Sequence, residues 1–183
     1  MKKIIPHCLL AAALVIALPI VAQTNSSKST SQLKMLFQLK GYWESTAATM
    51  KTGGKTYTFS YYADFKLTAD NNGILMNEWC TIPGVGKLNG ENLAGVNPFD
   101  EKVHWFSVDN MGTTHEHVGE FTDSKHFSMV YKGIHDGKEY VETLTLEFTD
   151  KDTLILNVIA TLDGKEDQVV AGTFHRKTRM ASK

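Results

Sequence analysis

The sequence predicts an all-β fold: a single antiparallel up-and-down barrel of about ten strands, preceded by a short N-terminal helix. Long stretches alternate apolar and polar side chains with a period of two, which is typical of half-buried strands. Turn-forming residues divide the segment 41–176 at short, regular intervals. No helical pattern long enough for a parallel crossover lies between these turns, so neighbouring strands should be antiparallel.

The first 22 residues have the pattern of a secretory signal peptide. Lys2 and Lys3 form a basic start, an apolar stretch follows, and Ala22 supplies the small residue at the expected cleavage point. Prolines interrupt the apolar stretch and leave it short of the about twenty residues that span a bilayer. We therefore expect an exported protein, periplasmic or extracellular, with no transmembrane segment after cleavage.

The residues around position 30 predict a short helix. Ser29 and Gln32 have the spacing of a weak capping box, and the apolar residues that follow share one helical face, so we expect a helix from about residue 31 to 39. The residues before and after the patterned region lack apolar side chains to bury. The expected organisation is a signal peptide over 1–22, a flexible leader over 23–31, a barrel domain over 32–176 and a flexible tail over 177–183.

Two segments show the strand alternation most clearly. Every second residue from Tyr57 to Leu67 is apolar, and the series from Tyr140 to Phe148 alternates in the same way. Glu142 is the one member of the second series that is out of character for a buried face.

About ten such strands either close on themselves or leave two exposed edges, and closure removes those edges. A ten-stranded barrel is wide enough to keep an internal cavity, which aromatic walls would suit to an apolar or aromatic ligand. The same aromatic stripes are equally typical of plain core. The candidate ligand-binding residues are Tyr57, Phe59, Tyr61, Trp79, Trp105, His115, His117, Phe127, Met129 and Tyr131.

Charge and cysteine content exclude some classes of protein. With Lys2 and Lys3 removed, 17 basic residues would face 20 acidic ones, a net charge of −3 that gives no reason to expect a nucleic-acid partner. Cys80 would be the only cysteine of the processed chain, so no internal disulfide can form. We interpret Cys80 as a small buried hydrophobe rather than a reactive thiol.

Standard catalytic motifs are missing from the sequence. Gly54-Lys55-Thr56 resembles the end of a phosphate-binding loop, but Thr49 stands where that loop needs its first glycine. The chain contains no C-x-x-C, H-E-x-x-H or G-x-S-x-G. A standard hydrolase or nucleotide-dependent enzyme is therefore not expected.

One constellation has the spacing of a metal site. His115 and His117 are two residues apart on one strand, so both imidazoles lie on the same face and can reach one ion. A third ligand would come from another strand. Alternatively, the two histidines are partly exposed or line the cavity mouth as polar groups that orient a ligand. The candidates for the third ligand are His104, Glu78 and His126.

The two ends of the patterned region resemble a known fold family. The helix followed by Gly41-Tyr42-Trp43 at the first strand is similar to the G-x-W opening of the lipocalin and calycin barrels, and Arg176 matches the arginine near the end of those chains. The resemblance implies that Arg176 packs over Trp43 and closes the base of the barrel. Both residues would then contribute to stability rather than to ligand specificity.

A second resemblance covers about residues 41–176. The segments beginning at Gly95, Val103 and Gly119 are similar to a bacterial lipocalin-like family whose function is not known. This resemblance implies a barrel and supplies no catalytic residue.

The sequence leaves three functional hypotheses open. The first is an exported barrel that binds a small apolar molecule, with no cofactor. The second is a protein that depends on a divalent metal at His115 and His117, or on haem in the manner of the small nitrobindin-like barrels. The axial haem ligand would then be one of His104, His117 and His175. The third is an interaction protein whose barrel is filled.

Overall fold

A computed structural model describes residues 27–178 and confirms the predicted fold. An α-helix, α1 (Ser27–Leu36), continues into a 3-10 turn over Phe37–Leu39 and leads into the sheet. Ten strands follow, and their bounds are β1 (Gly41–Thr52), β2 (Lys55–Leu67), β3 (Gly73–Ile82), β4 (Gly86–Val96), β5 (Val103–Asp109), β6 (Thr114–Phe121), β7 (His126–His135), β8 (Lys138–Asp150), β9 (Thr153–Leu162) and β10 (Lys165–Lys177).

The sheet is a closed antiparallel meander. Each strand pairs with the next along the chain, and β1 pairs with β10 to complete the barrel. Short hairpins make this order possible. Asp136 and Gly137 between β7 and β8 both have positive φ, 52° and 77°, as a two-residue type I′ turn requires. The predicted turn residues thus form the connections that keep neighbouring strands antiparallel.

The helix begins at Ser27, four residues before its predicted start. Residues 27–31, which the sequence assigns to a flexible leader, are helical because the helix is anchored by polar groups rather than apolar ones. Ser29 and Gln32 are both buried. The Gln32 side chain donates to the carbonyl of Phe121 and accepts from its N–H, both at 2.8 Å. Residues 1–26 and 179–183, which hold the predicted signal peptide and most of the predicted tail, lie outside the described residues.

Helix α1 and the 3-10 turn close one end of the barrel. Leu36 and Leu39 are fully buried, and the indole N–H of Trp43 donates to the Leu39 carbonyl at 2.7 Å. The Arg176 guanidinium lies 4.3 Å from the centre of the Trp43 ring and donates to the carbonyls of Gln38 and Lys151 at 2.8 Å, and to that of Lys40. A single arginine therefore joins β10 to the segment that enters β1.

The two ends of the barrel differ in packing. At the helix end, which we call the closed half, inward-facing side chains such as Ile74, Val103 and Phe127 are at most 2% exposed. Toward the other end, which we call the open half, inward-facing side chains such as Leu144 and Val158 are only half-buried. A smaller core on β1–β3 fills one side of the open half, and it comprises Ala48, Met50, Phe59, Cys80 and Ile82. Inward-facing side chains are therefore buried at one end and partly solvent-accessible toward the other.

No helix among residues 27–178 has the length and apolar character to cross a bilayer. Cys80 is a free, buried cysteine, in line with its interpretation as a core residue. Burial and the neighbouring Glu78 raise the pKa of its thiol to about 11, so the thiol stays protonated at neutral pH.

Candidate functional site

The inner face of the barrel carries two groups of hydrogen-bonded polar side chains. The first, which we call the Glu78 network, comes from β2 to β5 and consists of Tyr61, Glu78, Asn92, Trp105 and Ser107. The second, which we call the histidine cluster, comes from β6 to β8 and consists of His115, His117, Tyr131, Tyr140 and Glu142.

The Glu78 network is a chain of directed hydrogen bonds. The Glu78 carboxyl accepts from the Tyr61 hydroxyl and, at 3.0 Å, from the Asn92 amide. The Asn92 oxygen in turn accepts from the Trp105 indole at 3.0 Å and from the Ser107 hydroxyl at 2.5 Å. Because each polar group has a partner, the network fixes Asn92 and Glu78 in place on the inner face of the barrel.

Burial sets the protonation of this network. Loss of hydration raises the pKa of Glu78, although the hydrogen bonds from Tyr61 and Asn92 oppose the change. Burial, followed by the adjacent Glu78 carboxyl, raises the pKa of Tyr61 well above its usual range. Tyr61 therefore keeps its proton and acts as a donor at neutral pH.

In the histidine cluster, Glu142 is held from two sides. Its Oε1 lies 2.9 Å from His117 Nε2, and its Oε2 accepts from the Tyr140 hydroxyl at 2.8 Å. Burial raises the pKa of Glu142, but the hydrogen bonds from His117 and Tyr140 outweigh this effect, so the net shift is downward. The carboxylate is therefore ionised at neutral pH and can only accept hydrogen bonds. In its contact with His117, the Nε2–H group of the histidine is the donor.

One ring nitrogen of each histidine lacks a hydrogen-bond partner among the described residues. His115 and His117 have ring centres 4.7 Å apart, and His115 lies the same distance from the Tyr131 ring. Among the described residues, the Nδ1 atoms of both histidines are buried and make no hydrogen bond. Burial and the neighbouring His117 lower the pKa of His115, so its ring is neutral at pH 7 and Nδ1 is available as donor or acceptor.

Gly133 gives Tyr131 the room it occupies. A Cβ at position 133 would lie 2.7 Å from Cζ of the Tyr131 ring and closer still to its hydroxyl, so only glycine accepts this tyrosine conformation. Tyr131 pairs with Glu142 across the sheet, and Val130 pairs with Val118, which places Tyr131 between the strands of His117 and Glu142. Because Tyr131 lies over Gly133, His117 can reach Glu142 directly.

The residues predicted to line the cavity fall into four places. Tyr61, Trp105, His115, His117 and Tyr131 belong to the two polar groups described above. Phe127 and Met129 are 2% exposed and form part of the closed half, while Phe59 and the half-buried Tyr57 belong to the small core on β1–β3. Trp79 lies on the outer face, where its ring stacks on Tyr62 at 5.6 Å between centres, because it alternates with the inward-facing Cys80.

The other histidines proposed as ligands also face outward. His104 contacts Asp100 at 2.9 Å and Glu116 at 2.7 Å on the outer face. His126 pairs with Asp123 at 2.8 Å, and His175 is exposed. Of the predicted haem ligands, the structure therefore places only His117 in the interior. Glu78 faces inward but belongs to its own network rather than to the histidine cluster.

The third residue beside His115 and His117 is Glu142, and not one of the predicted third ligands His104, Glu78 and His126. The three residues offer ligand atoms that all lie within 4.8 Å of one another. The sequence contained a signal for Glu142, since it interrupts an otherwise apolar inward series. The sequence carried no comparable signal for Asn92, Ser107 and Tyr140, because small polar residues and tyrosines are ordinary on either face of a strand.

Two solved structures share this fold. The S-type phycobiliprotein lyase CPES from Guillardia theta aligns over 84% of this chain and 97% of its own, with a TM-score of 0.55 and 13% sequence identity. Rv2717c from M. tuberculosis aligns over 80% of this chain and 98% of its own, with a TM-score of 0.60 and 15% identity. No family model and no curated protein matches the sequence.

Both neighbours are ten-stranded antiparallel barrels of the lipocalin-like type. The similarity therefore confirms the predicted antiparallel barrel. The narrower resemblance to one bacterial family stays a prediction, because no family model supports it.

Proposed function

We propose that this protein binds a small molecule in the open half of its barrel. The observation that carries the proposal is the contrast between the two ends: inward-facing side chains of the closed half are buried, whereas those of the open half include the half-buried Leu144, Val158 and Tyr131. Apolar walls with a few convergent polar groups are the usual form of a small-molecule site.

The walls favour a ligand with an aromatic or apolar body and a hydrogen-bond donor. Leu144 and Val158 supply apolar surface, and the rings of Tyr131 and Tyr140 lie beside them on the inner face. The ionised Glu142 can only accept hydrogen bonds, and it repels an anionic group. We therefore expect neutral or cationic ligands to bind better than acids of the same shape.

The structural neighbours support this proposal at the level of fold alone. One of them is a lyase, so a barrel of this architecture serves an enzymatic function in another organism. An interaction protein with a filled barrel is less well supported, because the inward residues Leu144 of β8 and Val158 of β9 remain half-buried.

Two fluorescent probes of matched shape test the ligand chemistry. N-phenyl-1-naphthylamine is neutral and carries one N–H donor, and 1-anilinonaphthalene-8-sulfonate adds a negative charge to the same ring system. We expect saturable fluorescence enhancement with the neutral probe and affinity at least about tenfold weaker for the sulfonate. Equal affinities would contradict the role assigned to Glu142.

A pair of adjacent substitutions on β9 tests the location. Val158→Trp fills the interior, whereas Ile159→Trp adds the same bulk on the outer face, where Ile159 is 46% exposed. We expect V158W to weaken binding of the neutral probe by at least about tenfold and I159W to leave it unchanged. Urea denaturation of both variants confirms that they remain folded. If folded V158W binds like the wild type, the interior is not the binding site.

We also propose that the protein functions outside the cytoplasm, on the basis of the signal-like pattern of residues 1–22. N-terminal sequencing of the protein from fractionated cells should find a chain that begins at Gln23 in the periplasmic or extracellular fraction. An intact N-terminus in the cytoplasmic fraction would contradict export.

A further inference from the structure

We propose that His115, His117 and Glu142 form a binding site for one divalent transition-metal ion, of which Zn²⁺ is the reference case. The site goes beyond small-molecule binding and stands on separate observations. Each residue offers one ligand atom, and the three atoms lie within 4.8 Å of one another on the inner face. Two imidazoles and one carboxylate are a recurrent ligand set for zinc, and they leave one tetrahedral position open.

The fold brings these three residues together from strands that are not neighbours. His115 and His117 share the inward face of β6, and Glu142 lies on β8, with β7 between them. Tyr131 on β7 would separate them, but it lies over Gly133 and leaves His117 in direct contact with Glu142. Gly133 thus leaves the space for Tyr131 that the cluster requires.

Two unpartnered nitrogens mark the cluster as a ligand site. His117 is 3% exposed, and among the described residues neither its Nδ1 nor that of His115 has a hydrogen-bond partner. A buried polar atom without a partner destabilises the fold by about 1–3 kcal/mol, so such atoms are rare in the absence of a function. An ion bound through Nε2 of His117 and Nδ1 of His115 would give one of these two nitrogens a partner.

The surrounding residues orient the carboxylate as metal sites require. Tyr140 donates to Oε2 of Glu142, which holds the group and leaves Oε1 directed at His117. Outer contacts of this kind fix the direction of ligand atoms in known metal sites. Two ligand atoms on a tetrahedral ion are about 3.3 Å apart, so the 2.9 Å contact between His117 and Glu142 needs only a small expansion.

Borderline ions are favoured over hard ones. Mg²⁺ and Ca²⁺ prefer sites made of oxygen atoms, whereas imidazole nitrogen suits Zn²⁺, Co²⁺, Ni²⁺ and Cu²⁺. The inner face supplies two nitrogens and one carboxylate oxygen here, so we expect selection against Mg²⁺ and Ca²⁺.

Co²⁺ is the most informative probe because its visible spectrum reports the number and type of its ligands. The full chain, purified without a polyhistidine tag, is treated with a chelator, desalted and titrated with Co²⁺ and then with Zn²⁺. We expect one ion per chain, visible bands of a four- or five-coordinate Co²⁺ site, displacement of Co²⁺ by Zn²⁺, and a higher melting temperature with Zn²⁺.

Matched variants separate this site from other histidines. Glu142→Gln keeps the shape of the side chain and removes its charge, and we expect it to weaken Zn²⁺ binding by about 10–100-fold. His104→Gln and His126→Gln each remove an outward-facing histidine and should leave the Co²⁺ spectrum unchanged. Binding of less than one ion per chain, or an unchanged affinity in folded E142Q, would overturn the proposal.

The test is independent of the proposed small-molecule function. Failure of the metal site leaves binding of N-phenyl-1-naphthylamine by the metal-free protein intact. Failure of small-molecule binding leaves the Co²⁺ titration intact. A variant such as I159W, which changes only the outer face, should behave like the wild type in both measurements.

Discussion

At the scale of single residues, each carboxyl group inside this barrel depends on its hydrogen-bond partners for stability. Glu142 would destabilise an apolar face, yet it is stabilised there by His117 and Tyr140 at 2.9 and 2.8 Å. Glu78 is held by Tyr61 and Asn92 instead, and burial raises its pKa while that of Glu142 is lowered. The two carboxyl groups therefore have pKa values shifted in opposite directions, because their surroundings differ.

His104 on the outer face provides a pH-dependent contribution to stability. Burial lowers the pKa of His104, but hydrogen bonds from its ring to Asp100 and Glu116 outweigh this effect and raise the pKa above 6.5. Because the folded state binds this proton more tightly, the contribution is fully present below about pH 6.5 and is lost as the pH rises through the raised pKa. Both partners are exposed, so it amounts to at most about 1 kcal/mol.

The measurement is an NMR titration of the His104 ring together with urea denaturation across the neutral pH range. The wild type should lose its advantage over His104→Asn as the pH rises. Glu116→Gln should move the pKa of His104 back toward its ordinary value. A ring that titrates at or below about pH 6.5 would contradict this assignment.

At the scale of elements, β6 connects the closure of the barrel to the histidine cluster. The backbone of its C-terminal residue, Phe121, makes two hydrogen bonds with the Gln32 side chain of helix α1. Four residues earlier on the same strand, His117 contacts Glu142. The helix is thus docked on the same strand that positions the imidazoles. Changes in docking should affect stability before they affect binding, because the contact lies in the closed half.

Gln32→Glu tests this docking contact. The variant keeps the size of the side chain, but its carboxylate cannot donate to the Phe121 carbonyl and would be buried beside it. We expect a loss of about 2–3 kcal/mol in the free energy of unfolding by urea denaturation. Gln38→Glu is the control, because Gln38 makes a more exposed contact with Ser124 at 3.3 Å. Equal losses in the two variants would show that the Gln32 contact does not anchor the helix.

The sequence predicted the positions of the strands better than it predicted which of their side chains face inward. Turn residues and alternation located the strands, but β3 has apolar side chains on both faces, so its pattern could not reveal that Trp79 points outward. The start of α1 was placed too late because polar residues anchor it. His115 and His117 could be found from their spacing. Their contact with Glu142 could not, since it depends on the register of β6, β7 and β8.

At the scale of the whole molecule, stability and binding are separated along the barrel axis. The closed half contains the main core, the helix and the contact of Arg176 with Trp43. The open half contains the histidine cluster, most of the Glu78 network and the half-buried side chains of β8 and β9. Substitutions at the two ends should therefore have different consequences.

Two leucine substitutions test this division. Leu154 is 4% exposed in the closed half, and Leu144 is half-buried toward the open half. Because a cavity is most costly where neighbours cannot relax, Leu154→Ala should lower the free energy of unfolding by about 2–4 kcal/mol, and Leu144→Ala by at least about 1 kcal/mol less. L144A should alter the affinity for N-phenyl-1-naphthylamine, whereas L154A should not. The reverse order of stabilities would contradict the division.

The pairing of β1 with β10 has a consequence for how the chain acquires its structure. Trp43 meets Arg176, so the first strand finds its second partner only in the last strand of the chain. During synthesis, the ladder cannot be completed until β10 has left the ribosome, and contacts so distant in sequence slow the final step of folding. The nascent chain thus remains without its closing seam, and without its full cooperativity, until β10 is available to pair with β1.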